Sequence, residues 1–187
     1  IKRADATHTA SELLSEAPDS LRFYTDAGRL VVAGGGVIPD FIVPPDSLSP
    51  LMRSVLGRSL ENQFIRSWID LYGASIKNTW GESPSGFVSS FTVSAEMREA
   101  FLSYAAEHGV VIGDRPGEAD EGARFSDIDL ATDQEMLDTL LKGRLATRLY
   151  DRSAWYPVWR NVDKLINESQ KLWAPANELA ESYSVAN

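Results

Sequence analysis

At Pro44-Pro45 the hydrophobic pattern of this chain changes period, and no other feature narrows the possible folds as far. Before the pair, apolar residues come in short β-prone runs. Leu21-Arg22-Phe23-Tyr24-Thr25 is the first and Arg29-Leu30-Val31-Val32-Ala33 the second. Asp26-Ala27-Gly28 lies between them and supplies turn chemistry, because Gly accepts positive φ at no steric cost. Gly34-Gly35-Gly36 ends the second run, and Val37 to Val43 reads as an extended arm in which Pro39 allows only an edge or the start of a strand.

After the pair the period is helical. Ser49 is an N-cap with Pro50 at the first helical position. Leu51, Val55, Phe64, Trp68, Tyr72 and Ile76 follow at mostly four-residue spacing, with Ile65 and Ile69 widening the stripe and a break expected near Gly57. Gly81 to Ser90 reads as a loop. Ser94 caps a helix bearing Met97, Phe101 and Tyr104 that stops at His108-Gly109. Val110-Val111-Ile112 reads as a strand or a buried connector, and Asp114 to Ser126 as an acidic loop. Thr132 with Glu135 forms a capping box opening a helix that buries Met136, Leu137, Leu140, Leu141, Leu145 and Leu149. A last helix starts near Ser153, with Pro157 in its first turn, and buries Trp155, Trp159, Val162, Leu165, Ile166 and Trp173 before Pro175 ends it. The fold class expected is α+β, mainly α, with a hairpin and arm followed by about four main helices. The arm and a polar linker occupy residues 1–46 and the helical domain 47–187. The opening Ile1-Lys2-Arg3, without Met, suggests a piece of a longer protein.

Composition removes several function classes. The net charge of −9 argues against nucleic acid, which needs a basic face to displace counterions, and against anionic membranes. No apolar run approaches the roughly 18 residues of a spanning helix. The absence of Cys excludes disulfides, thiolate chemistry and Cys-ligated zinc. Charge is segregated: Asp114 to Asp138 holds nine acidic and two basic residues, whereas Lys142 to Lys171 holds seven basic and three acidic. Proximity of the two segments, or plain solvation, accounts for that segregation.

No self-contained catalytic set emerges, and no cofactor or metal is expected. His8 sits in a polar terminal segment, and His108 at a helix C-terminus, where a cation complements the dipole. Asp127-Ile128-Asp129 fails as a calcium loop, because the fifth, sixth and twelfth positions are Ala131, Thr132 and Asp138. The same two carboxylates are the basis for a weaker reading as an acid–base pair. Gly34 to Gly36 precedes an extended segment rather than a helix, so it is no phosphate loop. Trp155 and Trp159 share one helical face, which packs in the core or, if exposed, docks a partner.

Phe23 to Val43 resembles a signature of the carboxy-terminal processing peptidases, also called tail-specific proteases. In that family a Tyr-Thr-x-x-Gly-Arg hairpin is followed by a Gly-rich turn, then Gly-Ile-x-Pro-Asp and a short strand. Tyr24-Thr25, Gly28-Arg29, Gly34-Gly35-Gly36 and Pro39-Asp40 match it, with Val37-Ile38 a small departure. Residues 47–173 also look like the helical tail of a bacterial subgroup, through Phe91-Thr92-Val93-Ser94 and Leu141 to Ala146.

The resemblance implies a serine endopeptidase that uses a Ser-Lys dyad, often with a PDZ domain that adds the substrate's C-terminal segment to a sheet edge. In the family both dyad members precede this signature. Ser11 in Thr9-Ala10-Ser11-Glu12 only echoes the nucleophile segment, and neither it nor Lys142 takes a catalytic role. The resemblance therefore implies the noncatalytic C-terminal region of such an enzyme, inactive alone, periplasmic or secreted, whose partners are the catalytic and PDZ domains and, through them, protein substrates. Gly28 and Gly34 to Gly36 permit the turns, while Arg29 and Asp40 hold the arm. Without the parent sheet, the strand edges of Leu21 to Val43 lead to a homodimer by strand exchange. A free-standing helical module that binds peptides or proteins is the alternative.

Overall fold

A computed structural model of the chain describes residues 17–25, 28, 30–33, 39, 41–43 and 46–184, with the side chains of 182–184 excepted. The chain is α+β and mainly helical, with one short antiparallel hairpin near the N-terminus. It divides into two compact units, one spanning Ser47–Asp163 and one formed by residues of Ile1–Asp46 and Lys164–Asn187.

The larger unit opens with helix α1 (Pro50–Gly57). Ser49 caps it as its sequence predicts, the Ser49 Oγ accepting the Met52 N–H at 3.0 Å. The expected break follows at once: Arg58 closes α1, Ser59 takes a left-handed conformation (φ 55°), and α2 (Leu60–Trp80) begins. Gly81, at φ 74°, ends α2 by returning its N–H to the Lys77 carbonyl. Residues 84–90, expected as loop, form a short helix α3 (Pro84–Ser90). Pro84 starts it, and Phe87 is driven inward to stack on Phe91 with centroids 4.4 Å apart. Helix α4 (Ala95–Glu107) is capped by Ser94 and followed by Gly109 at φ 82°.

Strand β3 (Val111–Ile112) pairs in parallel with β4 (Arg124–Phe125), which lies in the segment expected to be all loop. Alternation is undetectable over two residues, so that pairing has no sequence signature. Helix α5 (Asp127–Leu149) starts five residues before Thr132. Its capping box is Ser126 with Asp129, not Thr132 with Glu135. Asp at the third helical position serves as Glu would, and the Thr132 hydroxyl donates to the Ile128 carbonyl inside the helix.

A 3₁₀ turn at Arg152–Ala154 leads to α6 (Trp155–Trp159), with Pro157 in its first turn. The core gathers Leu51, Val55, Phe64, Phe87, Phe101 and Leu141 with their neighbours. The expected long last helix does not form. Arg160 to Asp163 interrupts it, where Asn161 and Asp163 favour turns over helix.

In the other unit, β1 (Arg22–Tyr24) pairs antiparallel with β2 (Leu30–Val32), with Arg22 opposite Val32, Phe23 opposite Val31 and Tyr24 opposite Leu30. Helices α7 (Lys164–Lys171) and α8 (Trp173–Ser184) belong to this unit. Pro175 falls in the first turn of α8 rather than at a helix end, where its missing N–H costs nothing. Among the described residues every buried side chain lies between Leu51 and Val158. Leu165, Ile166 and Trp173, expected in the core, are therefore exposed, Trp173 by 70%. No helix among the described residues is long and apolar enough to cross a membrane.

Candidate functional site

The hairpin is where signature and exposed surface coincide. Gly28 closes it at φ 75°, its N–H donating to the Thr25 carbonyl at 2.8 Å, and a Cβ there would meet open space. The residue is glycine for its backbone conformation, not for lack of room. Phe23 and Tyr24 are 53% and 71% exposed, and Val31, opposite Phe23, is 38% exposed. Pro39 is exposed and outside any strand, and Phe41 and Ile42 after it are exposed as well. Arg29, Gly34, Gly35, Gly36 and Asp40 lie outside the described residues, as do His8 and Ser11. Sequence reasoning placed this apolar segment but not which of its backbone groups face outward, since that depends on pairing.

Trp155 and Trp159 do not form an open groove. Both are half-buried against the core and stack on each other, with centroids 5.0 Å apart and ring planes 17° from parallel. The Arg144 guanidinium sits over Trp155 at 4.9 Å from a ring centroid. Arg144 Nη2 also reaches Glu61 Oε1 at 3.2 Å, and Glu61 is only 1% exposed. Glu61 escaped sequence reasoning because an acidic residue in the first turn of a helix reads as solvated; its distant Arg partner, together with the Asn62 amide that donates to Oε1 at 2.9 Å, accounts for the burial.

The acidic stretch is built into the fold. Asp120 pairs with Arg58, and Asp138 holds Arg98 through two hydrogen bonds of 3.0 and 2.6 Å. Hydrogen bonding to Asp138 raises the Arg98 pKa. Asp133, buried in α5, accepts the Ser49 hydroxyl. Among the described residues the acidic groups of this stretch that form ion pairs reach Arg58 and Arg98, and its Arg115 reaches Glu99, none of them in the basic segment 142–171.

Asp129 accepts the Ser126 hydroxyl and N–H, which lower its pKa, so it is a capping group rather than half of an acid–base pair. His108 Nδ1 lies 2.7 Å from the Tyr104 carbonyl and its ring stacks on Tyr104, at the end of α4. The Lys142 ammonium donates to the Val88 carbonyl at 2.7 Å, and burial lowers its pKa. Among the described residues no cluster of three or more His, Asp or Glu side chains has the arrangement of a metal site.

No protein-family model matches this chain, and neither does any curated protein or solved structure.

Proposed function

We propose that this chain is the noncatalytic C-terminal region of a carboxy-terminal processing serine endopeptidase, its β-arm completing the edge of the catalytic domain's sheet. The observation that carries the reading is the hairpin itself. Tyr24-Thr25 and Gly28 stand at a turn closed by a left-handed glycine, in the order and spacing of the family signature, beside an exposed apolar face. A two-stranded hairpin is marginal in water by itself, so an arm of this kind gains order from a sheet it joins. The dyad, the PDZ domain where present, and the contact with protein substrates belong to the preceding part of the parent polypeptide. The helical unit braces that enzyme, gates it or holds its subunits together, in a periplasmic or extracellular setting.

The test compares the chain alone with the polypeptide read in the same frame from further upstream. Protein and peptide substrates survive the chain alone. The longer polypeptide cleaves them and loses that activity when its upstream Ser or Lys is replaced. Cleavage by the chain alone, with a nucleophile mapped inside it, or an upstream frame lacking the Ser-Lys order, overturns the reading.

A further inference from the structure

We infer that a second copy of this chain docks on the outer edge of β2, joining two hairpins into one four-stranded antiparallel sheet about a two-fold axis at Val31. The inference stands on main-chain geometry and does not need the peptidase reading. The Ala33 N–H donates to the Leu21 carbonyl at 2.8 Å, which makes that pair a hydrogen-bonded position of the ladder. Antiparallel positions alternate, so Phe23 and Val31 are the next bonded pair, while Tyr24–Leu30 and Arg22–Val32 are non-bonded. The N–H and C=O groups of Leu30 and Val32 therefore point away from β1. Neither residue makes a hydrogen bond outside the hairpin among the described residues. On the β1 side the Arg22 N–H is already given to the Asp19 carbonyl. The outer edge of β2 is the one that offers its full set of groups to another strand.

That edge matches itself. With Val31 opposite Val31 of the second copy, each Leu30 faces Val32 of the other copy and exchanges both main-chain hydrogen bonds with it. A one-residue slip turns these groups away from each other. A slip toward the turn sets Val32 against Gly28, whose φ of 75° is not that of a strand. The register centred on Val31 pairs all of β2.

Side chains agree with the backbone. Phe23 and Val31 are directly opposite and both exposed, so the pairing continues them as one apolar row across the four strands. Leu30-Val31-Val32 contains no charge and no Pro, the devices by which edge strands usually avoid one another. Each copy carries −9, so long-range repulsion opposes association and added salt favours it. The contact is short, which places the dissociation constant on the order of 0.1 mM.

Sedimentation equilibrium of the whole chain, from tens of micromolar to about a millimolar at moderate salt, reads this directly. Wild type is expected to rise from the monomer mass toward twice that mass with concentration, and more so at higher salt. In the proposed register Val31 and its symmetry mate form a non-bonded pair, where side chains approach closest, so like charges there repel strongly. V31K and V31E are each expected to weaken self-association at least tenfold. Mixed in equal amounts they recover it as a heterodimer, which neither misfolding nor a general loss of apolar surface would produce. V32P removes an outward N–H that the hairpin does not use, and it too abolishes the dimer. Unchanged far-UV circular dichroism verifies that each variant keeps its helices. A wild-type chain that stays monomeric over the whole range overturns the inference. So does a V31K variant that associates like wild type, or a mixture no stronger than its parts.

Discussion

Replacing Gly143 with Ala sets two effects of opposite sign against each other at one buried position. Gly143 lies in the interior of α5, where helix propensity alone favours Ala by about 1 kcal/mol. A Cβ built there, however, sits 2.8 Å from both Cε3 and Cζ3 of Trp155, closer than real carbon contacts allow. The indole cannot simply swing aside, because it is stacked on Trp159 and covered by Arg144. Overpacking of a fixed ring costs about 2–3 kcal/mol, which outweighs the propensity gain. The net expectation is a loss of about 1–2 kcal/mol, or roughly 3–6 °C in Tm, by urea titration and thermal melting at 222 nm. Gly57, with nothing within 4 Å of its Cβ position, is the control: there Ala stabilises by up to about 1 kcal/mol. A double-mutant cycle isolates the clash, since in a Trp155→Ala background Gly143→Ala should turn stabilising by about 1 kcal/mol. If Gly143→Ala alone equals or exceeds wild type in stability, the ring is not held as described and the reasoning fails.

Three further outcomes follow from named contacts. Ser49→Ala removes the α1 cap and the hydroxyl that the buried Asp133 accepts, for an expected loss of about 2–3 kcal/mol; Ser49→Thr should restore most of it in the same urea titration. Arg98 and Asp138, 20% and 25% exposed and joined by two hydrogen bonds, should show a coupling of roughly 1–2 kcal/mol in a double-mutant cycle, reduced from a buried pair's value by solvent screening. Asp129 has its pKa lowered in the folded chain by Ser126, so its contribution is present above the unfolded-state value and lost as pH falls through the folded one. Melting curves of wild type and Asp129→Asn should therefore differ by a constant amount near neutrality and begin to converge as the pH falls below about 4.

Local signals carried the helical unit. Ser49-Pro50 and Ser94 each cap the helix their sequences announce, and the break at Gly57 came where a weak helix former stands. What failed needed information from elsewhere in the chain. Thr132-Glu135 is as good a capping box on paper as Ser126-Asp129, and β4, which precedes α5 directly, leaves the earlier box as the one in use. Leu165, Ile166 and Trp173 continue the spacing of Trp155 and Trp159, but the turn at Arg160–Asp163 resets the helix phase, and periodicity across a break means nothing. Glu61 looks solvated until Arg144, more than eighty residues away, is known to reach it. For the candidate site, the turn at Gly28 was legible because positive φ leaves a chemical mark; the outward direction of Leu30 and Val32 leaves none, since it is set by ladder parity rather than by side-chain type.

That contrast bears on how the two ends of the chain earn their order. The unit from Ser47 to Asp163 holds every buried side chain among the described residues, so its backbone ordering is offset internally by apolar burial. The hairpin fixes the same backbone entropy per residue and fully buries no side chain, Arg22, Leu30 and Val32 being half-buried, while Phe23, Tyr24, Phe41 and Trp173 in its unit face water. Side-chain contacts within the hairpin are too few to offset that cost, because a two-stranded ribbon gives neither strand a second neighbour. The balance shifts when a strand is added at β2, since the pairing satisfies the outward groups of Leu30 and Val32 and widens the Phe23–Val31 row in a single step. Under the proposed function, a parent sheet and a second copy would compete for one edge, and the occupant at the higher effective concentration would take it. A covalently joined sheet would hold that advantage over a partner that must diffuse in, so the proposed function predicts that self-association of the chain alone is lost once such a sheet is attached.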